Sequence, residues 1–552
     1  MVVTVSPTQR DGQEQSWLLH SGTILTHDLS MTDQLLVRDG VIAAIGPTAA
    51  AATQRDPAVR HVDLSGCVVT AAFVDAHVHL TATGLMGSGL DLTATRSCAE
   101  LLSQLRDFAS RVHDSIIIGH GWDDSQFDTP GVPTAAQLDE ATGGRLVYLT
   151  RIDVHSALVS QRALDELPEL GGDEGFSSDG LLTRAAHGRV RRHVMAHLTD
   201  EQRVCAQNAA LRAAAARGVV SVHENGGPIV SSVADLQSAM ALGRTRGNPE
   251  VIGYWGELGG ASTATRIGAH GVAGDLFVDG SLGSHTAYLC QPYQGGESVG
   301  ACYVAEDELV EHFLESAQAN LQAGVHAIGD AAISLVLRAM HRVGTSGANR
   351  WRIEHMEMPS AADIEVAARL GVIASVQPQF DRLWGGPDGM YSQRLGHERA
   401  CGMNPFAVLQ AAGVALAFGS DSPVTPINPW GSVCAAVGTH QVSHGLSYPD
   451  AFAAATSGAA AAAPSRINVE NELTRAQVQP TTTLRVRSTV AVGQPADLAI
   501  WAPLPGHQRA ADGSAVLARL AEMYGSPSGD STVTAVATLR AGDVIHDTGM
   551  FR

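Results

Sequence analysis

The sequence of 552 residues contains no lysine, so all 36 of its basic residues are arginine. Without a lysine amine the chain cannot form a Schiff base with a substrate, use lysine as a general base, or hold a metal through a carboxylated lysine. A genome rich in arginine codons is enough to explain the composition. The chemical exclusion holds whatever its origin.

The chain also lacks an excess of positive charge, long apolar runs and paired cysteines. The net charge of -20 excludes a nucleic-acid binder, because no basic stripe is available to neutralise phosphates. No stretch approaches the roughly 18 apolar residues of a membrane span, and the N-terminus has no signal-peptide pattern. The seven cysteines form no C-x-x-C pair. We therefore expect a cytoplasmic protein without nucleic-acid or membrane partners.

Hydrophobic residues make up 45% of the chain, which is typical of a packed globular enzyme. Both ends carry alternating apolar and polar residues divided by turns, as in SWLLHSGTIL near the start and ADLAIWAP near the end. This pattern predicts small antiparallel sheets. We expect residues 1–68 and 489–552 to form one β-sandwich domain that draws on both termini.

Between the two ends, short apolar strands that finish in polar residues alternate with alanine-rich helical stretches, which predicts a (β/α)8 TIM-like barrel over residues 69–462. The predicted strands are VVTAAFVDAHVH, GVVSVHENGG, EVIGYWGE, GDLFVDGS, AGVHAIGD, WRIEHMEM, GVIASVQPQ and VALAFGSDSP. Residues 84–199, approximately, do not fit this register and are predicted to form an inserted α+β lid. Residues 463–488 are polar and non-periodic, which favours a surface loop.

The strongest local signal is the segment FVDAHVHL. Residues two apart on a strand point to the same side, so His77 and His79 can offer imidazole nitrogens to one metal. His326, His355 and Asp421 also follow predicted strands and are good ligands for zinc or a similar cation. Because barrel strands end at one face, we expect these side chains to meet there.

Several longer stretches resemble family 3, the YtcJ-like branch, of the amidohydrolase superfamily. The stretches are GWDDSQFDTPGVPTAAQLDE, YLTRIDVHSALVS, DGSLGSHTAYL, VHAIGD, RIEHMEM, SVQPQF, RLGHERA, GSDSPV and GQPADLAIW. The resemblance implies that His77, His79 and Asp421 bind one divalent metal, with zinc the expected ion. It implies that His326 and His355 bind a second metal or assist the substrate or the first metal. Asp421 would then accept a proton from attacking water and return it to a leaving nitrogen. A homodimer is expected from the resemblance alone.

The sequence departs from the family at one important position. The strand before DGS usually begins there with a lysine that can be carboxylated to bridge two metals, whereas this chain has Asp275. Three alternatives follow. Asp275 or another carboxylate such as Glu224 bridges two metals, the site holds a single metal, or the site is degenerate and inactive.

Four further polar residues are weaker candidates for substrate contacts. His223 and Glu224 end the second predicted barrel strand and either line the cavity or are satisfied core groups. Arg151 and His155 lie in the motif YLTRIDVH of the predicted lid. Arg151 and its neighbours either contact the substrate or form a salt bridge inside the lid.

We therefore predict a metal-dependent hydrolase that cleaves a non-peptide carbon-nitrogen bond, an amide or a formamide, of a small molecule. Two alternatives are left open. One is a metal-dependent isomerase or hydratase, and the other is a binding protein that kept the fold and lost catalysis.

Overall fold

The structure is a computed structural model that describes residues 16–53, 56–87, 89–112, 116–344, 350–464, 488–503, 512–525 and 534–551. Most of the predicted surface loop at 463–488 lies outside these residues. Within them, no helix has both the length and the apolar character needed to cross a membrane.

The strands and helices follow one another along the chain as three interleaved groups. The strands are β1 (Ser16–Leu25), β2 (Met31–Arg38), β3 (Val41–Ile45), β4 (Val59–Asp63), β5 (Val68–Ala71), β6 (Phe73–Val78), β7 (Leu90–Asp91), β8 (Ile116–Trp122), β9 (Leu146–Arg151), β10 (Ser156–Val159), β11 (Leu181–Thr183), β12 (Val219–Gly226), β13 (Glu250–Trp255), β14 (Gly271–Val272), β15 (Gln322–Ala327), β16 (Arg352–His355), β17 (Ile373–Val376), β18 (Ala415–Phe418), β19 (Leu498–Trp501), β20 (Ala537–Arg540) and β21 (Asp543–Asp547).

The helices mostly follow the strands of the central group. They are α1 (Pro47–Thr53), α2 (Leu80–Met86), α3 (Cys98–Arg111), α4 (Ala135–Thr142), α5 (Gln161–Glu166), α6 (Arg184–Ala196), α7 (Asp200–Ala216), α8 (Val233–Arg244), α9 (Ala261–Ile267), α10 (Glu306–Gln318), α11 (Asp330–Val343), α12 (Ala361–Leu370), α13 (Pro378–Trp384), α14 (Met390–Leu395), α15 (His397–Ala400), α16 (Phe406–Ala411), α17 (Pro429–Val437), α18 (Tyr448–Ala453), α19 (Ala459–Ala461) and α20 (Gly513–Tyr524).

The central group is the predicted barrel. Its eight strands lie in the order β6, β12, β13, β14, β15, β16, β17 and β18, and every neighbouring pair is parallel. The sheet closes where the Asp421 amide donates to the His77 carbonyl at 2.7 Å and the His79 amide donates to the Ser422 carbonyl at 2.9 Å. Gly419 permits this approach, since a Cβ there would lie 2.6 Å from the His77 nitrogen. The (β/α)8 prediction is confirmed.

Local sequence explains these elements. All six residues of β6 are buried, as expected for a strand that faces side chains inside the barrel and helices outside it. In α11 the buried Ile333, Val336, Leu337 and Met340 recur at helical spacing and form one apolar stripe. That stripe is the face through which the helix packs on the barrel.

The fourth predicted barrel strand, GDLFVDGS, was placed too late in the chain. Strand β14 ends at Val272, before this segment begins. Gly274 then adopts a φ of 88°, which breaks the extended backbone. Pairing returns only as an isolated bridge between Phe277 and His326. Asp275 therefore lies in the irregular stretch between the two paired segments.

Strands from both termini form a second sheet, in the order β21, β20, β19, β5, β1, β2 and β3. The prediction that both ends contribute is confirmed. The expectation of purely antiparallel pairing was wrong, because β1 pairs in parallel with β4 over its first half and with β5 near its end. A connection that returns along the sheet, such as α1 between β3 and β4, produces this parallel pairing.

The terminal sheet is joined to the barrel by an aromatic cluster around Trp501 of β19. Its ring lies 6.1 Å from Phe73 of β6, 5.6 Å from Trp430 and 4.8 Å from Tyr524, measured between centroids. Its indole nitrogen donates to the Thr70 hydroxyl at 3.0 Å. One side chain thus connects the end of the chain to the first barrel strand.

The Trp501→Ala variant should therefore lose about 3–5 kcal/mol of unfolding free energy, because it empties a closed aromatic site. Urea unfolding monitored by far-UV circular dichroism, which does not depend on tryptophan fluorescence, would measure the loss. Val492→Ala is a matched control, since Val492 is 60% exposed and should cost little. Equal stability of Trp501→Ala and Val492→Ala would contradict this view of the interface.

The third group is a five-stranded sheet inside the predicted insert, in the order β11, β10, β9, β8 and β7. Its apolar clusters include Leu149 and Leu158 on one side and Tyr148 and Val190 on the other. Helices α3 and α4 cover the first side, and α6 lies on the second, where it faces the barrel. The insert thus has the α+β character predicted for it.

Candidate active site

Six side chains from five barrel segments converge at the mouth of the barrel. The atoms offered by three sets of three residues lie within 4.8 Å of one another. The sets are His77, His79 and Asp275; His77, His355 and Asp421; and Asp275, His326 and His355. All six predicted ligands are therefore brought together.

Two carboxylates occupy the centre of this cluster. Asp421 Oδ1 lies 3.3 Å from His77 Nε2 and 3.2 Å from His79 Nε2. Asp275 Oδ1 lies 3.5 Å from His77 Nε2 and 3.9 Å from His326 Nδ1, while its Oδ2 lies 3.2 Å from His79 Nε2. Asp275 is thus the carboxylate that reaches both the His77 side and the His326 side.

Backbone conformation aims two of these residues into the barrel. Asp421 has a φ of 53° and His355 a φ of 72°, in the left-handed region that non-glycine residues seldom adopt. Such residues are held by the surrounding structure and are concentrated at functional sites. The kink at His355 lets both Glu354 and His355 face the cluster, although consecutive strand residues normally alternate.

Three histidines of the cluster each form a hydrogen bond through the ring nitrogen that points away from its centre. His77 Nδ1 lies 2.9 Å from Glu354 Oε2, and His355 Nδ1 lies 2.9 Å from Gln377 Oε1. His326 Nε2 lies 3.2 Å from the Gly280 carbonyl. These oxygen atoms accept hydrogen bonds, so the opposite ring nitrogen faces the centre and can offer a lone pair to a cation.

The Glu354 carboxylate is itself fixed by the buried guanidinium of Arg352, whose Nη2 donates to Glu354 Oε2 at 3.0 Å. Arg352 also lies 2.9 Å from His223 Nδ1. His223 is therefore a hydrogen-bond partner of Arg352. This favours the alternative that His223 is a satisfied core group over a role in lining the cavity. Glu354 was not identified from the sequence. Its position two residues after Arg352 on β16 places both side chains on the same side of the strand.

The charges of the cluster favour a bound cation. Burial alone would lower the pKa of His79, but the carboxylates of Asp275 and Asp421 outweigh burial and raise that pKa to about 10. Burial, with His326 nearby, lowers the pKa of His355 to about 3, so its imidazole is neutral. The carboxylates therefore concentrate negative charge that attracts a cation, and the imidazole of His355 is available as a neutral donor.

Four buried atoms of this cluster have no hydrogen-bond partner among the described residues: His79 Nδ1 and three that lie close to one another, His77 Nε2, Asp275 Oδ1 and His326 Nδ1. Buried polar atoms are nearly always satisfied, and these three point towards a common centre. Imidazole nitrogens and carboxylate oxygens are donors that suit zinc and similar divalent cations. The residues present therefore fit a metal.

The remaining sequence candidates for substrate contacts are Glu224, His155 and Arg151. Glu224 accepts from the Leu80 amide at 2.7 Å, and burial raises its pKa to about 8; it belongs to none of the three ligand sets. The ring of His155 lies 5.2 Å from that of His326, at the edge of the cluster. Arg151 is bound to Asp123 at 2.6 Å and Asp153 at 3.1 Å, which favours the lid salt bridge.

Gln377 should affect metal binding indirectly, because its amide oxygen lies 2.9 Å from His355 Nδ1 and orients that ring. We expect Gln377→Ala to weaken metal binding about 10–100-fold at the His355 side of the cluster. Competition with a chromophoric chelator would measure affinity, and Gln393→Ala, at an exposed helical position, would serve as control. Unchanged affinity in Gln377→Ala would show that His355 does not depend on this bond.

Comparison with known proteins agrees with this geometry. The sequence profile of the amidohydrolase family matches residues 60–546. The putative amidohydrolase YtcJ of Bacillus subtilis is 28% identical over 443 residues, covering 74% of this chain and 81% of YtcJ. The N-substituted formamide deformylase of Arthrobacter pascens is 23% identical over 447 residues, covering 72% of this chain and 79% of the deformylase.

A solved structure matches at the level of the whole fold. The crystal structure of an uncharacterized metal-dependent hydrolase from Pyrococcus furiosus superimposes with a TM-score of 0.67 and 26% identity, over 88% of this chain and 98% of the other. The family profile spans the barrel, the insert and the part of the terminal sheet that follows β3. The chain therefore belongs to the amidohydrolase family.

Proposed function

We propose that this chain is a metal-dependent hydrolase that cleaves a carbon-nitrogen bond, an amide or a formamide, of a small molecule. The observation that carries the proposal is the placement of the Asp421 carboxylate at nearly equal distances from His77 Nε2 and His79 Nε2. The similarity to a formamide deformylase supports the type of bond.

His77, His79 and Asp421 would hold a first divalent cation, and His326 and His355 a second. Asp275 would lie between them, in the position where the resemblance implies a carboxylated lysine. When bound, such cations activate water and polarise the carbonyl of the substrate. Zinc is the ion that we expect, because three or four nitrogen and oxygen donors suit it.

Asp421 would carry the proton. Burial raises the pKa of its carboxyl, but the His77 imidazole and the other histidines outweigh burial and hold that pKa below its usual value. The carboxylate is therefore ionised and able to accept a proton from attacking water. The same group then protonates the nitrogen that leaves, which completes the cleavage without another acid.

The test is a screen for released amine. Protein stripped with a chelator and reconstituted with zinc, manganese or iron would be incubated with N-formyl and N-acetyl amines, and free amine would be quantified. We expect metal-dependent release that chelation abolishes. A His79→Asn variant, which removes one donor, should release none.

Two outcomes would overturn the proposal. Turnover that changes the substrate without releasing amine would indicate isomerisation or hydration. Failure of the reconstituted protein to retain any metal would indicate a binding protein with this fold.

A further inference from the structure

Three cavities lie between the insert and the barrel mouth, and one side chain borders all of them. The first, of about 200 Å³, is bordered by His79 and Glu224. The second, of about 30 Å³, is bordered by His120, and the third, of about 320 Å³, by His155. Arg191 of α6 lines each of the three. It therefore stands where the cavities beside the metal cluster meet.

Arg191 is buried and carries its charge alone. Only 7% of its surface is exposed, and no hydrogen bond or ion pair joins its side chain to any residue that the structure describes. Two other arginines of the same helix have acidic partners, since Arg184 pairs with Glu174 and Arg189 with Asp173, while Arg192 is exposed to solvent. A buried cation without an opposite charge is costly, so the position favours an anion from outside the chain.

The acidic groups that border these cavities are already engaged. Asp235 contacts Arg203 at 3.1 Å and accepts from the Thr81 hydroxyl at 2.8 Å. Glu224 accepts from a backbone amide, as described above, and Asp173 and Glu174 pair with arginines. Each local carboxylate thus has a partner other than Arg191.

The polar neighbours of Arg191 on the insert side supply no counter-charge either. The Tyr148 hydroxyl and His187 Nε2 lie 2.8 Å apart and satisfy each other. Burial, with Arg191 nearby, lowers the pKa of His187 to about 3, so the pair is neutral. Met86 and Met195 add apolar walls to the second cavity. On the side of the second cavity the guanidinium therefore borders a low-polarity space, which strengthens an ion pair formed there.

We propose that Arg191 binds a carboxylate of the substrate, which makes the substrate class amides that bear a carboxylate. This inference rests on the hydrolase function proposed above. The planar guanidinium can donate two parallel N–H groups to the two carboxylate oxygens. His79 and Arg191 border the same cavity, so the amide would lie at the metal cluster while the carboxylate reaches the insert.

The experiment compares matched ligands by calorimetry. The probes are N-acetylglycine, N-acetyl-β-alanine and N-acetyl-4-aminobutanoate, each beside its neutral methyl ester. We expect at least one acid to bind wild-type protein about tenfold or more tightly than its ester, because a charge-assisted pair is lost in the ester. The three spacer lengths report the distance between amide and carboxylate.

Variants then assign the preference to one residue. Arg191→Met should bring the acid-to-ester ratio close to one, while Arg212→Met, at an exposed position of α7, should keep it. Circular dichroism would verify that both variants fold. If no acid binds better than its ester to wild-type protein, or if Arg191→Met keeps the preference, the assignment is wrong.

The outcomes separate this inference from the proposed function. Hydrolysis of neutral amides without any preference for acids would leave the hydrolase function standing and overturn the role of Arg191. A carboxylate preference that Arg191→Met abolishes, in a protein that releases no amine, would support the subsite and overturn the hydrolase proposal.

Discussion

Asp421→Asn is expected to lower kcat by about 10³-fold at saturating metal. Asparagine has nearly the same shape but cannot accept a proton from water or return one to a leaving nitrogen. The asparagine amide is also neutral, so the variant loses part of the negative charge that favours a cation. Turnover should be measured by amine release at several metal concentrations, so that weaker metal binding is separated from slower chemistry.

The control for this variant is Asp363→Asn. Asp363 is also buried, but it caps α12 through the Ser360 amide and hydroxyl, far from the cluster. It should leave kcat near the wild-type value. If Asp421→Asn retains more than about a tenth of the wild-type kcat, another group carries the proton and the role given to Asp421 is wrong.

Asp275→Asn is expected to reduce the metal content of reconstituted protein from about two ions per chain to about one, and to lower kcat about 100-fold. The physical reason is that Asp275 is the carboxylate common to the His77 side and the His326 side of the cluster. Removing its charge leaves His326 and His355 as two neutral donors, which is too few to hold a cation firmly. Elemental analysis after gel filtration would measure the content.

Asp381→Asn provides the comparison for metal content. Asp381 is buried and accepts from the His440 amide at 2.9 Å, outside the cluster. The Asp381→Asn variant should keep the metal content of the wild-type protein. Two results would speak against bridging by Asp275: wild-type protein that binds only one ion per chain, or Asp275→Asn that still binds two.

The sequence was sufficient to predict that the candidate ligands lie close together, because barrel topology supplies the missing geometry. Once eight strands are identified, parallel pairing brings their ends to one face, and polar residues after apolar runs must meet there. His77 and His79 followed from strand periodicity alone. Asp275 was identified as a departure from the family, and its central position could then be read from the structure.

Other parts of the site depend on backbone detail that periodicity does not encode. The left-handed conformation of His355 turns it towards the same space as Glu354, so alternation along β16 could not predict both. The solitary charge of Arg191 is visible only when the partners of every nearby carboxylate are known. In the sequence it is one of four arginines on α6 and has no distinguishing pattern.

Anomalous diffraction from crystals of zinc-reconstituted protein tests the central claim most directly. We predict a peak within bonding distance of His77 Nε2 and Asp421, and a second between Asp275 and His326. A map with no peak at this cluster would contradict the account. So would zinc found solely at the solvent-exposed set of Glu166, His193 and His197, whose donor atoms also lie within 4.8 Å of one another.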